Sequence, residues 1–169
     1  TPPDFVEFPS QVNEHWAWEP GRVLPAEWLA RLKEASRFDR GFHTLELLQA
    51  TLLDQSWHQT PVDQLPSDAA GVEEFERQAL ASWGVAYDLV PPRYRSAYFS
   101  HIWGSGYAAG YYGYTWSEVM DADAVAWFDE HGGGTRDNGD WFRRTLLAPG
   151  GSVDPILTYR AFRGRDPEL

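Results

Sequence analysis

The stretch Ser100-His101-Ile102-Trp103-Gly104-Ser105-Gly106-Tyr107-Ala108-Ala109-Gly110-Tyr111-Tyr112-Gly113-Tyr114-Thr115-Trp116-Ser117-Glu118 gathers an imidazole, several phenols and a carboxylate around a glycine-rich loop. Tyr107, Tyr111, Tyr114 and Glu118 recur at i, i+4, i+7 and i+11, which on a helix places three phenols and a carboxylate on one face. Phenols so aligned can donate hydrogen bonds to a developing oxyanion, and His101 can act on a substrate from the loop. Gly104, Ser105 and Gly106 give that loop freedom to move. The same spacing describes a tyrosine stripe packed in a core, with Gly110 and Gly113 allowing close approach between helices. Residue types alone leave both readings open, because so many Tyr and Gly make neither a good core nor a good helix.

A second stretch, Asp4-Phe5-Val6-Glu7-Phe8-Pro9-Ser10-Gln11-Val12-Asn13-Glu14-His15-Trp16, sets Glu7 among Phe5, Val6 and Phe8. A carboxylate drawn toward apolar surroundings needs a partner such as a metal or an arginine. On spacing alone the plainer reading is preferred: a first-turn Glu favoured by the positive end of the helix after Pro9.

Helices separated by Gly and Pro must position these residues. The spacing predicts helices over Ser10–Glu19, Pro25–Arg37, Thr44–His58 (with Thr44 as its cap), Val72–Trp83, Ala108–Glu130, Asn138–Leu147 and Pro155–Arg163. Pro61–Pro66 reads as a polar break, Pro91 to Gly106 as irregular, and Ala108–Glu130 as the longest helix. No stretch sustains period-two alternation, so the expectation is an all-α fold, one domain over residues 1–169.

At 169 residues the chain is long enough for one ordinary core. It has no Cys, which excludes disulfides, thiolate zinc sites, iron–sulfur clusters and a cysteine nucleophile. A net charge of -11 argues against a nucleic-acid surface. No apolar run approaches the roughly 20 residues of a membrane span, so no membrane partner is expected. The nine Trp are unusually many, and most are assigned to the core.

The two stretches together resemble the thimet-oligopeptidase-like zinc metallopeptidases, the M3 peptidases. The match is nearer the bacterial peptidyl-dipeptidase (dipeptidyl carboxypeptidase) branch than the oligopeptidase branch. The resemblance also runs through Gly41–His58 with its Leu-Leu-Asp-Gln-x-Trp-His ending, the Gly-Gly-x-Thr-Arg turn at Gly132–Arg136, and Tyr-Arg-x-Phe-Arg-Gly at Tyr159–Gly164. It implies that Glu7 is a zinc ligand and that His101, Tyr107 and Tyr114 are the substrate-contacting and catalytic residues. It further implies that water activated by zinc attacks a peptide carbonyl, with the Tyr hydroxyls and the His steadying the tetrahedral intermediate.

The family's other two ligands and its base lie in a His-Glu-x-x-His helix, and no such motif occurs here. The five His are His15, His43, His58, His101 and His131, none four residues from another. The resemblance therefore leads to the expectation of a C-terminal helical piece of a larger zincin-type peptidase. Zinc belongs to the complete enzyme, and the piece alone is expected to be inactive. Its expected partners are short peptides and the N-terminal remainder of the same enzyme, in the cytoplasm or periplasm. Phe5, Phe8 and Trp16 are expected to be left exposed where that remainder would pack. His15, His43, His58 and His131 read as ordinary helical residues. Arg143, Arg144, Arg160, Arg163 and Arg165 read as solvated or ion-paired, unless one grips a peptide carboxylate. The competing readings are a standalone helical peptide-binding module without chemistry and an interaction piece that must dock with a separate half.

Overall fold

The computed structural model describes residues 1–168 and is all-α, with no strand among them. Its α-helices in chain order are α1 (Pro3–Val6), α2 (Phe8–His15), α3 (Ala26–Ala35), α4 (Arg40–Gln59), α5 (Ala69–Ser82), α6 (Ser100–Gly104), α7 (Gly113–Glu130), α8 (Arg136–Phe142) and α9 (Pro155–Arg163). Contacts sort the chain into two compact units: Thr1–Leu29 with the chain from Gly113 onward, and Ala30–Tyr112.

Local chemistry fixes several helix ends. Asp68 accepts a hydrogen bond from the Gly71 N–H at 2.8 Å and caps α5. Thr135 caps α8 through the Asn138 N–H, and Asp154 caps α9 through that of Ile156. Pro155 occupies the first turn of α9, and Gly164 closes that helix at φ 83°, a conformation open to glycine. The Pro155–Arg163 helix matches its sequence expectation end to end.

Two expected starts move by four residues or more. Helix α4 begins at Arg40, after Asp39 in the left-handed region at φ 57°, so Thr44 is interior and caps nothing. Helix α7 begins only at Gly113; residues 108–112 form consecutive turns, with Ala109 at φ 53°. The longest helix is therefore α4, and the expected four-residue stripe from Tyr107 to Glu118 is not a helix face. Only Tyr114 and Glu118 keep their i, i+4 relation.

In the first unit, α1 and α2 lie on α7, and α8 and α9 complete a core that includes Phe5, Phe8, Met120, Phe128, Phe142, Tyr159 and Phe162. Phe8 is fully buried, and its ring lies 5.2 Å from Phe5 and 5.6 Å from Tyr159. Phe5 and Phe8 are thus core residues rather than orphans, and Trp16 packs partly buried against Phe128 at 5.0 Å. In the second unit α4 packs on α5, with Trp57 over Phe75 at 4.0 Å.

The assignment of most tryptophans to the core is overturned. Trp57 and Trp127 are buried and Trp16 is half-buried, while the other six are exposed. Three of the exposed indoles are still tied down: Trp83 donates to Ser56, Trp103 to the Ser96 carbonyl and Trp141 to the Phe162 carbonyl. An apolar body with one polar handle suits that half-covered position.

Candidate active site

Glu7 and Tyr114 both belong to the first unit. Glu7 is half-buried at the junction of α1 and α2, between the buried rings of Phe5 and Phe8. Its carbonyl accepts from Ser10 Oγ at 2.7 Å and from the Gln11 N–H, which starts α2 directly after it. A carboxylate at this end of α2 sits in the positive field of the helix. Tyr114 is half-buried in the first turn of α7. That turn is joined to the Glu7 region twice. A Cβ on Gly113 would lie 2.9 Å from the Pro3 carbonyl oxygen, so glycine permits the approach of α1. The Gln11 side-chain amide donates to the Tyr114 carbonyl at 3.4 Å.

His101 and Tyr107 belong to the second unit. Short helix α6 carries His101, and the chain turns back so that the Tyr107 N–H donates to the His101 carbonyl at 3.3 Å. The two rings stand 6.3 Å apart, edge to face, and both side chains are half-buried. Tyr94 and Tyr111 wall the imidazole at 5.1 and 5.6 Å. Tyr111 itself is buried against Phe99 at 4.8 Å, so this member of the expected stripe packs in the unit's interior. The structure therefore pairs Glu7 with Tyr114 in one unit and His101 with Tyr107 in the other.

Two acids on α7 have pKa values shifted upward. Burial raises the carboxyl of Glu118. Burial also pushes Asp121 up to about 6; Glu14 and Glu118 add to the rise and His15 opposes it. Of the remaining imidazoles, His43 pairs with Glu46 at 3.2 Å, and His131 Nδ1 lies 2.7 Å from the Trp127 carbonyl. Arg160 and Arg163 form ion pairs with Asp166 and with Asp123 and Glu130, and Arg165 also reaches Asp123. Arg143 pairs with Asp140. These arginines are accounted for structurally.

A catalytic zinc needs three protein donors. Among the described residues no group of three or more His, Asp or Glu converges to hold a metal, and Glu7 is one carboxylate. The donors of this chain do not by themselves fit the ion. A hollow of about 580 Å³ in the first unit is lined by Trp16, Arg22, Phe128 and Phe142 among others. None of Glu7, His101, Tyr107 or Tyr114 lines it, so it is separate from the predicted residues.

Residue spacing did not single out Asp54 and Gln55, whose side chains hold the loop after Tyr107. Asp54 is fully buried and accepts from the Ala109 and Tyr111 N–H groups at 2.9 Å each, while Gln55 donates to the Ala109 carbonyl at 2.8 Å. A signal existed: Asp54 is an acid in phase with Ala50, Leu53 and Trp57 on the buried stripe of α4.

The sequence model of Peptidase family M3, a metallopeptidase family, matches residues 1–169. Dipeptidyl carboxypeptidase of Salmonella typhimurium is 46% identical to the chain, covering 100% of it and 26% of the relative. Its Escherichia coli counterpart is 44% identical with the same coverage. Oligopeptidase A of Escherichia coli is 36% identical, covering 99% of this chain and 26% of the relative. The chain thus spans about a quarter of the length of these relatives. No described helix is long and apolar enough to cross a membrane.

Proposed function

This chain belongs to peptidase family M3, and on that footing we propose that it forms part of the catalytic domain of a zinc-dependent peptidyl-dipeptidase. The parent protein would hydrolyse peptide bonds in short peptides and release C-terminal dipeptides. The supporting observation is the level of identity, which extends over the whole chain and is higher to the two dipeptidyl carboxypeptidases than to oligopeptidase A.

Within this reading Glu7 supplies one carboxylate to the metal, and the remaining donors come from the rest of the parent protein. The Tyr114 phenol donates a hydrogen bond to the oxygen that becomes negative when the peptide carbonyl is attacked. His101 and Tyr107, held edge to face, contact and orient the peptide. The half-burial of all four side chains fits these tasks: each is oriented by packing yet retains access to solvent.

The test is peptide cleavage by the purified parent protein, with products identified by mass. Release of C-terminal dipeptides that stops on chelation and returns with zinc is the expected result. The 169-residue chain alone is expected to retain no stoichiometric zinc after dialysis and to cleave nothing. Peptide binding without cleavage by the parent would favour the non-catalytic module and sink the enzymatic reading.

A further inference from the structure

We infer that Asp54 is a positioning residue for the proposed peptidase site: its buried carboxylate, with Gln55 beside it, clamps the backbone of residues 108–112, the loop that follows Tyr107. The inference rests on the functional reading above and concerns the second unit alone.

No helix holds the backbone of this loop, although Tyr111 packs its ring against Phe99. Residues 108–112 are turns rather than helix, Gly106 and Gly110 flank the centre, and Ala109 holds φ 53°, which L-residues rarely adopt. A backbone of this kind exposes N–H groups that no regular ladder satisfies. Asp54 satisfies two of them with its two oxygens: Oδ1 accepts from Ala109 and Oδ2 from Tyr111. Gln55 Nε2 holds the Ala109 carbonyl, so this peptide is gripped on both its donor and acceptor sides. One internal bond, from the Gly110 N–H to the Tyr107 carbonyl at 2.8 Å, ties the start of the loop to the clamped segment.

The carboxylate is itself fixed. His58, one turn along α4, places Nδ1 2.8 Å from Asp54 Oδ1 and 2.9 Å from the Asp54 carbonyl oxygen, and Trp103 lies against the imidazole at 5.8 Å. Burying an acid completely is costly unless donors surround it, and a leucine would fill this place on the apolar stripe at no such cost. The arrangement is therefore explained by what the carboxylate holds rather than by packing. What it holds is the backbone immediately after Tyr107, whose N–H is bonded to the His101 carbonyl. The clamp thus acts on the placement of the His101–Tyr107 pair, and the Leu-Leu-Asp-Gln-x-Trp-His ending acquires a purpose in Asp54, Gln55 and His58.

The experiment uses Asp54→Asn in the complete parent protein. The amide keeps the volume but turns one acceptor into a donor, so it can accept from only one of the two loop N–H groups. Misplacing substrate-orienting groups by about 1 Å can cost roughly 10²-fold, so kcat is expected to fall about 10- to 100-fold while KM changes less than about threefold. Hydrogen exchange at the Ala109 and Tyr111 amides should quicken by about tenfold or more, with the amides of α4 and α7 unchanged. Gln55→Leu, which removes only the grip on the Ala109 carbonyl, should shift both readouts in the same direction by less. If Asp54→Asn does not fold, that variant decides by the same two measurements. Unchanged kcat, or exchange that quickens equally throughout α4 and α7, overturns the clamp. A wild-type parent with no peptidase activity would overturn the functional reading underneath it, a result distinct from an active parent whose Asp54→Asn variant is equally active.

Discussion

In the first unit the Glu7 junction is fixed by aromatic packing: Phe5 and Phe8 on either side of it enter a core built with Phe142, Tyr159 and Phe162. In the second unit the segment after Tyr107 is fixed by the buried Asp54 gripping the loop, and elsewhere in that unit Gln49 donates to the Val85 carbonyl at 2.7 Å. Glu76 acts similarly, accepting from both the N–H and the hydroxyl of Ser96. The difference follows from backbone geometry. A helix satisfies its own N–H and C=O groups, so packing its side chains is enough to place it. An irregular loop does not, so a buried side chain has to supply the missing partners.

The comparison is broken most severely by removing an aromatic anchor from the first unit. Phe8→Ala is expected to cost about 3–5 kcal/mol, because the ring is fully buried against several others and leaves a cavity. Denaturant unfolding checks this, and a loss under about 1 kcal/mol would mean the core closes around the gap. Of similar size, but in rate rather than stability, is Tyr114→Phe in the parent protein. Loss of one oxyanion donor costs about 10²- to 10³-fold in kcat, roughly 3–4 kcal/mol, and spares ground-state binding. Near-normal kcat with full metal content would reduce Tyr114 to a packing residue.

Much of the first unit was legible because its signals are local. Pro155 and Gly164 bracket α9, and Pro9 with the following apolar positions announces α2. The start of α7 was not legible, since Tyr107 and Tyr111 share helical spacing with Tyr114 but not its helical backbone. That outcome is decided by Asp54, more than fifty residues earlier, which takes up the N–H groups of Ala109 and Tyr111. The candidate residues were recognised through family resemblance, whereas the clamp required long-range contacts that spacing does not encode. The tryptophans misled for another reason: indole burial depends on which face a neighbour covers, and composition carries no such information.

A smaller effect sharpens the account of the α1–α7 approach. At Gly113 an added Cβ would meet the Pro3 carbonyl oxygen at 2.9 Å and Asp4 Cα at 3.0 Å, both backbone atoms with little room to yield. Gly113→Ala is expected to destabilise by about 1–3 kcal/mol. Gly139 in α8 is the control, because nothing lies within 4 Å of its added Cβ. Gly139→Ala should stabilise by about 0.5–1 kcal/mol through helix propensity. Equal effects at the two sites would show that close approach does not matter at Gly113.

The smallest effect concerns an acid that lacks what Asp54 has. Asp121 lies half-buried on α7 with its Oδ1 buried and without a hydrogen-bond partner, and its carboxyl is pushed up to about 6 by burial, with Glu14 and Glu118 adding. The folded protein therefore binds this proton more tightly than the unfolded chain, whose ordinary value is 3.8. Stability from this group is present below the unfolded value, falls as pH rises from about 4 to about 6, and stays lower above that. Asp121→Asn cannot ionise, so it should raise Tm near neutral pH and lose that advantage below about pH 4. Partial exposure and the opposing charge of His15 keep the gain small, a few degrees at most. Thermal melts of wild type and variant across this range provide the check. A Tm difference that does not vary with pH would show that Asp121 is solvated like an ordinary surface acid, and the contrast with the fully partnered Asp54 would lose its energetic meaning.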